Sequence, residues 1–67
     1  MTDFAKNLQS SMKVNGITQK RLADELGTTQ QTVSRWLHGI NEPDLDTFLK
    51  ICRFLRESPN DLLGYRN

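Results

Sequence analysis

An all-α fold of five short helices is what this sequence predicts, and three observations carry the expectation. Apolar residues recur at helical spacing without any run of strict alternation, so no segment reads as a strand. Glycines 16, 27 and 39 and prolines 43 and 59 divide the chain into five segments. Each segment opens on a residue able to cap a helix: Thr2 or Asp3, then Thr18, Thr29, Asp44 and Ser58.

The first helix carries Phe4, Ala5, Leu8 and Met12 inward and stops at Asn15-Gly16. The second, capped by Thr18, turns Leu22, Ala23 and Leu26 inward and ends at Gly27. Only three residues later Thr29 caps a third helix, with Gly39 just past its end. Pro43 blocks helix continuation through Asn41 and Glu42, and Asp44 then caps a fourth helix whose expected inward set is Leu45, Phe48, Leu49, Cys52 and Leu55. Ser58-Pro59-Asn60-Asp61 places a capping hydroxyl, a proline at the first helical position and a carboxylate at the third, opening a short fifth helix held by Leu62 and Leu63. The whole is expected to be one compact five-helix domain over residues 1–67, because a chain this short buries only about 60% of its unfolded surface and has no room for a second core.

Composition narrows the function classes. Apolar residues make up 36% and charged residues 25%, ordinary values for a folded globular chain. Apolar runs stay far below the roughly 20 residues that span a bilayer, and no signal-peptide core opens the chain, so a cytoplasmic protein without membrane contact is expected. The lone Cys52 can form neither an internal disulfide nor a metal site and reads as core packing. No nucleophile and base, metal cluster or phosphate-cradling glycine loop is present, so neither an enzyme nor a cofactor is expected. Asp24-Glu25 and Asp44 with Asp46 read as solvent-facing charge. Net charge is only +1, but residues 1–38 carry +2 and residues 39–67 carry −1, so an anionic partner should meet the N-terminal half.

The third helix is the informative one. At 100° per residue, Val33, Trp36 and Leu37 fall within about 100° of arc, while Gln30, Gln31, Ser34, Arg35 and His38 fill about 140° opposite. Trp36 belongs to the packing face and reads as a core anchor. The outward face carries no Asp or Glu from Gln30 through Ile40, and its side chains suit base edges: glutamine matches adenine N6/N7 and arginine matches guanine O6/N7. A short helix ending on glycine, a tight turn and a second helix with such a face is the geometry that enters a DNA major groove.

The stretch Thr18-Gln19, Leu22-Ala23, Leu26-Gly27-Thr28-Thr29-Gln30-Gln31-Thr32-Val33-Ser34-Arg35-Trp36, Gly39 and Pro43 resembles the phage repressor and Cro-type helix-turn-helix family, and the likeness runs from about Phe4 to Leu63. The resemblance implies a lambda-repressor-like fold with the helix-turn-helix at helices 2 and 3, and a transcriptional repressor or regulator. It implies Gln30 and Gln31 as principal base readers with Arg35 and Ser34 beside them. Gln19, Lys20, Thr29, Thr32, His38 and Asn41 would then contact phosphates or position the helix. The implied partner is a palindromic double-stranded operator, bound by a homodimer.

Two positions depart from the family pattern. Many relatives pair an arginine in helix one with a glutamate near the end of helix three, where this chain has Met12 and Leu37, so an apolar contact is expected instead. The connection from Ile40 to Asp46, commonly basic in phage repressors, holds no Lys or Arg, leaving backbone N–H groups near Ile40 and Asn41 as its phosphate donors. Phe54 lies 180° from Leu45 and is expected either to be exposed for a dimer contact or to cover Leu62, Leu63 or Tyr65. An antitoxin or restriction-modification controller would share these features. The competing class is a protein-interaction module that keeps the fold without touching DNA, and salt-dependent duplex binding separates the two.

Overall fold

The computed structural model describes residues 3–65, and these form five helices: α1 (Phe4–Asn15), α2 (Gln19–Leu26), α3 (Gln30–Leu37), α4 (Leu45–Leu55) and α5 (Pro59–Leu63). Four of the five expected caps form. The hydroxyls of Thr18, Thr29 and Ser58 accept from the amides of Arg21, Thr32 and Asp61 at 3.1 Å, and the Asp44 carboxylate accepts from Thr47 N at 2.8 Å. The Thr47 hydrogen bonds also hold the Asp44 carboxyl below the usual carboxylate range. At α1 the expectation fails: Asp3 sits at the N-cap position without a side-chain cap bond, and Thr2 lies outside the described residues. Asp3 has φ −91° and ψ 21°, outside the extended region from which a cap side chain folds back onto the helix. Its main chain is tied to the far end of the molecule instead, with Asp3 N donating to Leu63 O at 3.4 Å.

The core gathers one face of every helix. Phe4, Leu8 and Met12 of α1 meet Leu22 and Ala23 of α2, Val33 and Trp36 of α3, Phe48, Ile51, Cys52 and Leu55 of α4 and Leu62 of α5. Phe4 and Phe48 pack edge to face with ring centroids 5.7 Å apart. α1 is the central strut, packed on α3, α4 and α5, while α2 leans on α3 and α4. Two polar ties were not legible in the sequence. Asn7 donates to the carbonyls of Asp61 and Leu62, both at 3.1 Å, and the buried Ser11 hydroxyl donates to the Glu57 carboxylate at 2.9 Å. Cys52 lies in the core, where burial raises its thiol pKa and keeps it protonated.

The inward face of α4 needs correction. Leu45 is 80% exposed and Leu49 42% exposed, whereas Ile51, absent from the expected set, is fully buried. The buried residues Phe48, Ile51, Cys52 and Leu55 centre on a line rotated about 50° from the one expected. Both stripes satisfy helical spacing, and α4 is apolar over so wide an arc that periodicity alone does not choose between them. Packing against α1, α2 and α5 makes the choice. Phe54 is not exposed as a dimer contact would need: it is half-buried against the core cluster that includes Leu62, and the Arg21 guanidinium from α2 stands 5.6 Å from its ring centroid. Tyr65 is exposed.

The C-terminal end of α4 is capped by Arg56, the one non-glycine at positive φ among the described residues, at 57°. A left-handed side chain is strained by about 1 kcal/mol, and this exposed arginine makes no compensating ion pair among the described residues. Arg56→Gly is therefore expected to raise unfolding stability by about 0.5–1 kcal/mol, seen as a higher urea midpoint at unchanged slope. An unchanged or lower midpoint would contradict the strain assignment.

Met12 is buried and Leu37 half-buried, on two helices that pack together. Leu37→Glu should lower stability by about 2–4 kcal/mol, because a carboxylate in that position loses water without gaining a partner. Adding Met12→Arg should recover part of the loss, so a double-mutant cycle in urea with simple additivity would count against a shared site.

Candidate nucleic-acid interface

Only residues 27–29 separate α2 from α3. Gly27 makes this possible at φ 70°, a conformation that costs glycine little, and the Thr28 amide closes the end of α2 by donating to Ala23 O at 2.9 Å. Val33 is wholly buried and Trp36 nearly so, which clamps the inner face of α3 and fixes its rotation. The opposite face is thereby presented outward: Gln30, Gln31, Arg35 and His38 are exposed, and Ser34 is half-buried among them. All five expected residues share this one face. Arg35 makes no ion pair among the described residues, so its guanidinium is unengaged.

The end of α3 adds geometry invisible in the sequence. Gly39, at φ 69°, lets the Ile40 amide return to Arg35 O at 3.0 Å. That bond removes Ile40 N–H from the expected phosphate donors, a consequence of ordinary helix termination. His38 Nδ1 lies 2.7 Å from Ser34 O and 3.4 Å from Ser34 Oγ. A carbonyl only accepts, so Nδ1 carries the hydrogen, and in the neutral ring Nε2 is left as an acceptor. His38 can thus donate to a phosphate through Nε2 only as imidazolium.

Around this face stand the expected positioning residues. Gln19 is half-buried at the first position of α2, where the Thr18 hydroxyl takes the Arg21 amide and the amides of Gln19 and Lys20 have no intrahelical acceptor. Such a helix start favours an anion. Lys20 is exposed and bonded to Asp24 at 3.3 Å, an i,i+4 surface pair weak enough for a stronger acceptor to displace. The neighbouring Arg21 has its head shared between Glu25 at 3.9 Å and the Phe54 ring, pointing toward α4. At the start of α3 the hydroxyls of Thr29 and Thr32 lie 2.9 Å apart, which fixes both side chains. Thr32 and the exposed Asn41 line one open groove of about 420 Å³ between the tight turn and the loop before α4, shared with Trp36, Pro43 and Thr47. Glu42 and Asp44 line it too, which makes the groove itself a poor seat for phosphate.

Among the described residues no group of three His, Cys, Asp or Glu is arranged to hold a metal ion, and no helix is long and apolar enough to cross a membrane. A family model described as Helix-turn-helix matches residues 12–62. An SPbeta prophage-derived HTH-type transcriptional regulator of Bacillus subtilis, YonR, is 37% identical over 60 residues, covering 90% of this chain and 56% of that protein. ImmR, an HTH-type transcriptional regulator of the same organism, is 31% identical over 61 residues, covering 91% of this chain and 48% of its own length. The chain thus spans about half the length of the curated relatives it matches. Among solved structures, a transcriptional regulator from Listeria innocua superposes with a TM-score of 0.92 at 25% identity, covering all of this chain and 63% of that one.

Proposed function

The chain belongs to the helix-turn-helix family of phage-repressor (XRE) type, and from that premise we propose that it is a cytoplasmic, sequence-specific regulator of transcription that lays α3 in the major groove of double-stranded DNA. The observation that carries this reading is the outward face of α3. It gathers Gln30, Gln31, Ser34 and Arg35 over a clamped inner face, with no carboxylate on the helix. Gln30, Gln31 and Arg35 read base edges and Ser34 assists them. Gln19, Lys20, Thr29, Thr32, His38 and Asn41 hold the backbone or position the helix.

The chain binds as a two-fold dimer on an imperfect palindrome. Its longest dimension is 33 Å and it carries one recognition helix, whereas helices in successive major grooves lie about 34–36 Å apart. Two grooves therefore take two copies, each reading half a site.

Salt titration tests the reading. Lys13, Lys20 and Arg35 are the cations counted toward the backbone, while Arg21 faces α4. About three phosphates neutralised per protomer gives a log-log slope near −3. Lys20→Ala should weaken all duplexes alike and reduce that slope by about 1. A flat salt response, or no binding to any duplex, would favour a protein-interaction module instead.

A further inference from the structure

We propose that the outward face of α4, formed by Leu45, Asp46, Leu49 and Arg53, is the surface on which a second copy of this chain docks, with the two α4 helices antiparallel. The proposal rests on the two-fold dimer of the preceding reading and assigns it a surface. Leu45 and Leu49 are exposed one turn apart, and with Asp46 and Arg53 they span about 100° of arc facing away from the core. The two leucines form an apolar spot on an otherwise charged face, and covering it with a second apolar surface is favourable.

Charge names the occupant. Along α4 the exposed side chains run from acidic to basic, Asp44 and Asp46 at the start and Lys50 and Arg53 toward the end. A two-fold contact must be self-complementary, and an antiparallel pair of this helix is: acidic halves meet basic halves, where a parallel pair would set like on like. A crossing midway between Leu49 and Lys50 puts Asp46 opposite the partner's Arg53 twice over and brings Leu49 against the partner's Leu49. Among the described residues neither Asp46 nor Arg53 has an ion-pair partner in its own chain. α4 packs on α1, α2 and α5, so pairing through its outer face leaves the outward face of α3 uncovered. Two helices of 11 residues bury well under the about 1,200 Å² of a stable interface, so the pairing is weak in free protein and gains strength when DNA holds two copies side by side.

Sedimentation equilibrium of the chain at about 1 mM, without DNA, tests the surface independently of DNA reading. Wild type is expected to self-associate, and Leu49→Glu, at a position 42% exposed and with its fold checked by circular dichroism, to weaken association about tenfold or more. Asp46→Arg and Arg53→Asp should each weaken it alone. Mixed in equal amounts they should associate again, because each heterodimer restores two opposite-charge pairs. Association unchanged in all three variants would overturn this surface and leave the dimer standing. A wild type that stays monomeric would overturn the surface, while binding of a single half-site would still report on α3.

Discussion

Trp36→Ala is expected to remove a large fraction of the stability of this protein. Trp36 is nearly fully buried where α3 meets the core, and truncating a buried tryptophan costs about 3–5 kcal/mol through lost burial and the cavity left behind. At about 0.05–0.15 kcal/mol per residue a chain of 67 residues has roughly 3–10 kcal/mol in total, so the loss is a large fraction of the whole. Urea unfolding followed by circular dichroism should show a midpoint far below that of wild type, and duplex binding should fall with the folded fraction. Trp36→Phe keeps an aromatic ring in the site and should lose much less. A cost below about 1 kcal/mol for the alanine variant would mean that Trp36 does not anchor α3.

Gln30→Ala and Gln31→Ala are expected to leave stability unchanged and to weaken binding to the preferred duplex by about 1–3 kcal/mol each, a loss of roughly 5- to 150-fold. Both side chains are exposed at the start of α3, so no packing is lost, and the Thr29 cap holds the first turn in place without them. The loss should shrink toward nothing on unrelated duplexes. Equal weakening on every duplex would make the glutamines phosphate contacts rather than base readers.

Helix boundaries and caps were legible because each depends on a few adjacent residues: Thr18, Thr29, Asp44 and Ser58 bond amides three positions on. The two faces of α3 were legible for a related reason, a narrow apolar arc against a wholly polar one. The inward face of α4 was not, because Leu45, Leu49, Ile51 and Phe54 make that helix apolar over most of its circumference. Which side is buried then depends on where α1, α2 and α5 lie. The bonds from Asn7 to α5 and from Ser11 to Glu57 join positions more than 45 residues apart, and no local pattern signals them. At the candidate interface the residue types were readable, but their engagements were not: Arg21 turned to Phe54, His38 bonded to Ser34 O and the Ile40 amide used by the helix end are all products of the folded geometry.

Selection from randomised duplexes, run in parallel with wild type and Gln31→Ala, tests the central claim most directly. The account predicts that wild type enriches an inverted repeat whose half-sites include adenine, and that Gln31→Ala enriches the same repeat with preference relaxed at one or two base pairs. An identical motif from both proteins, or no enriched motif from wild type, would contradict the assignment of α3 as the helix that reads DNA.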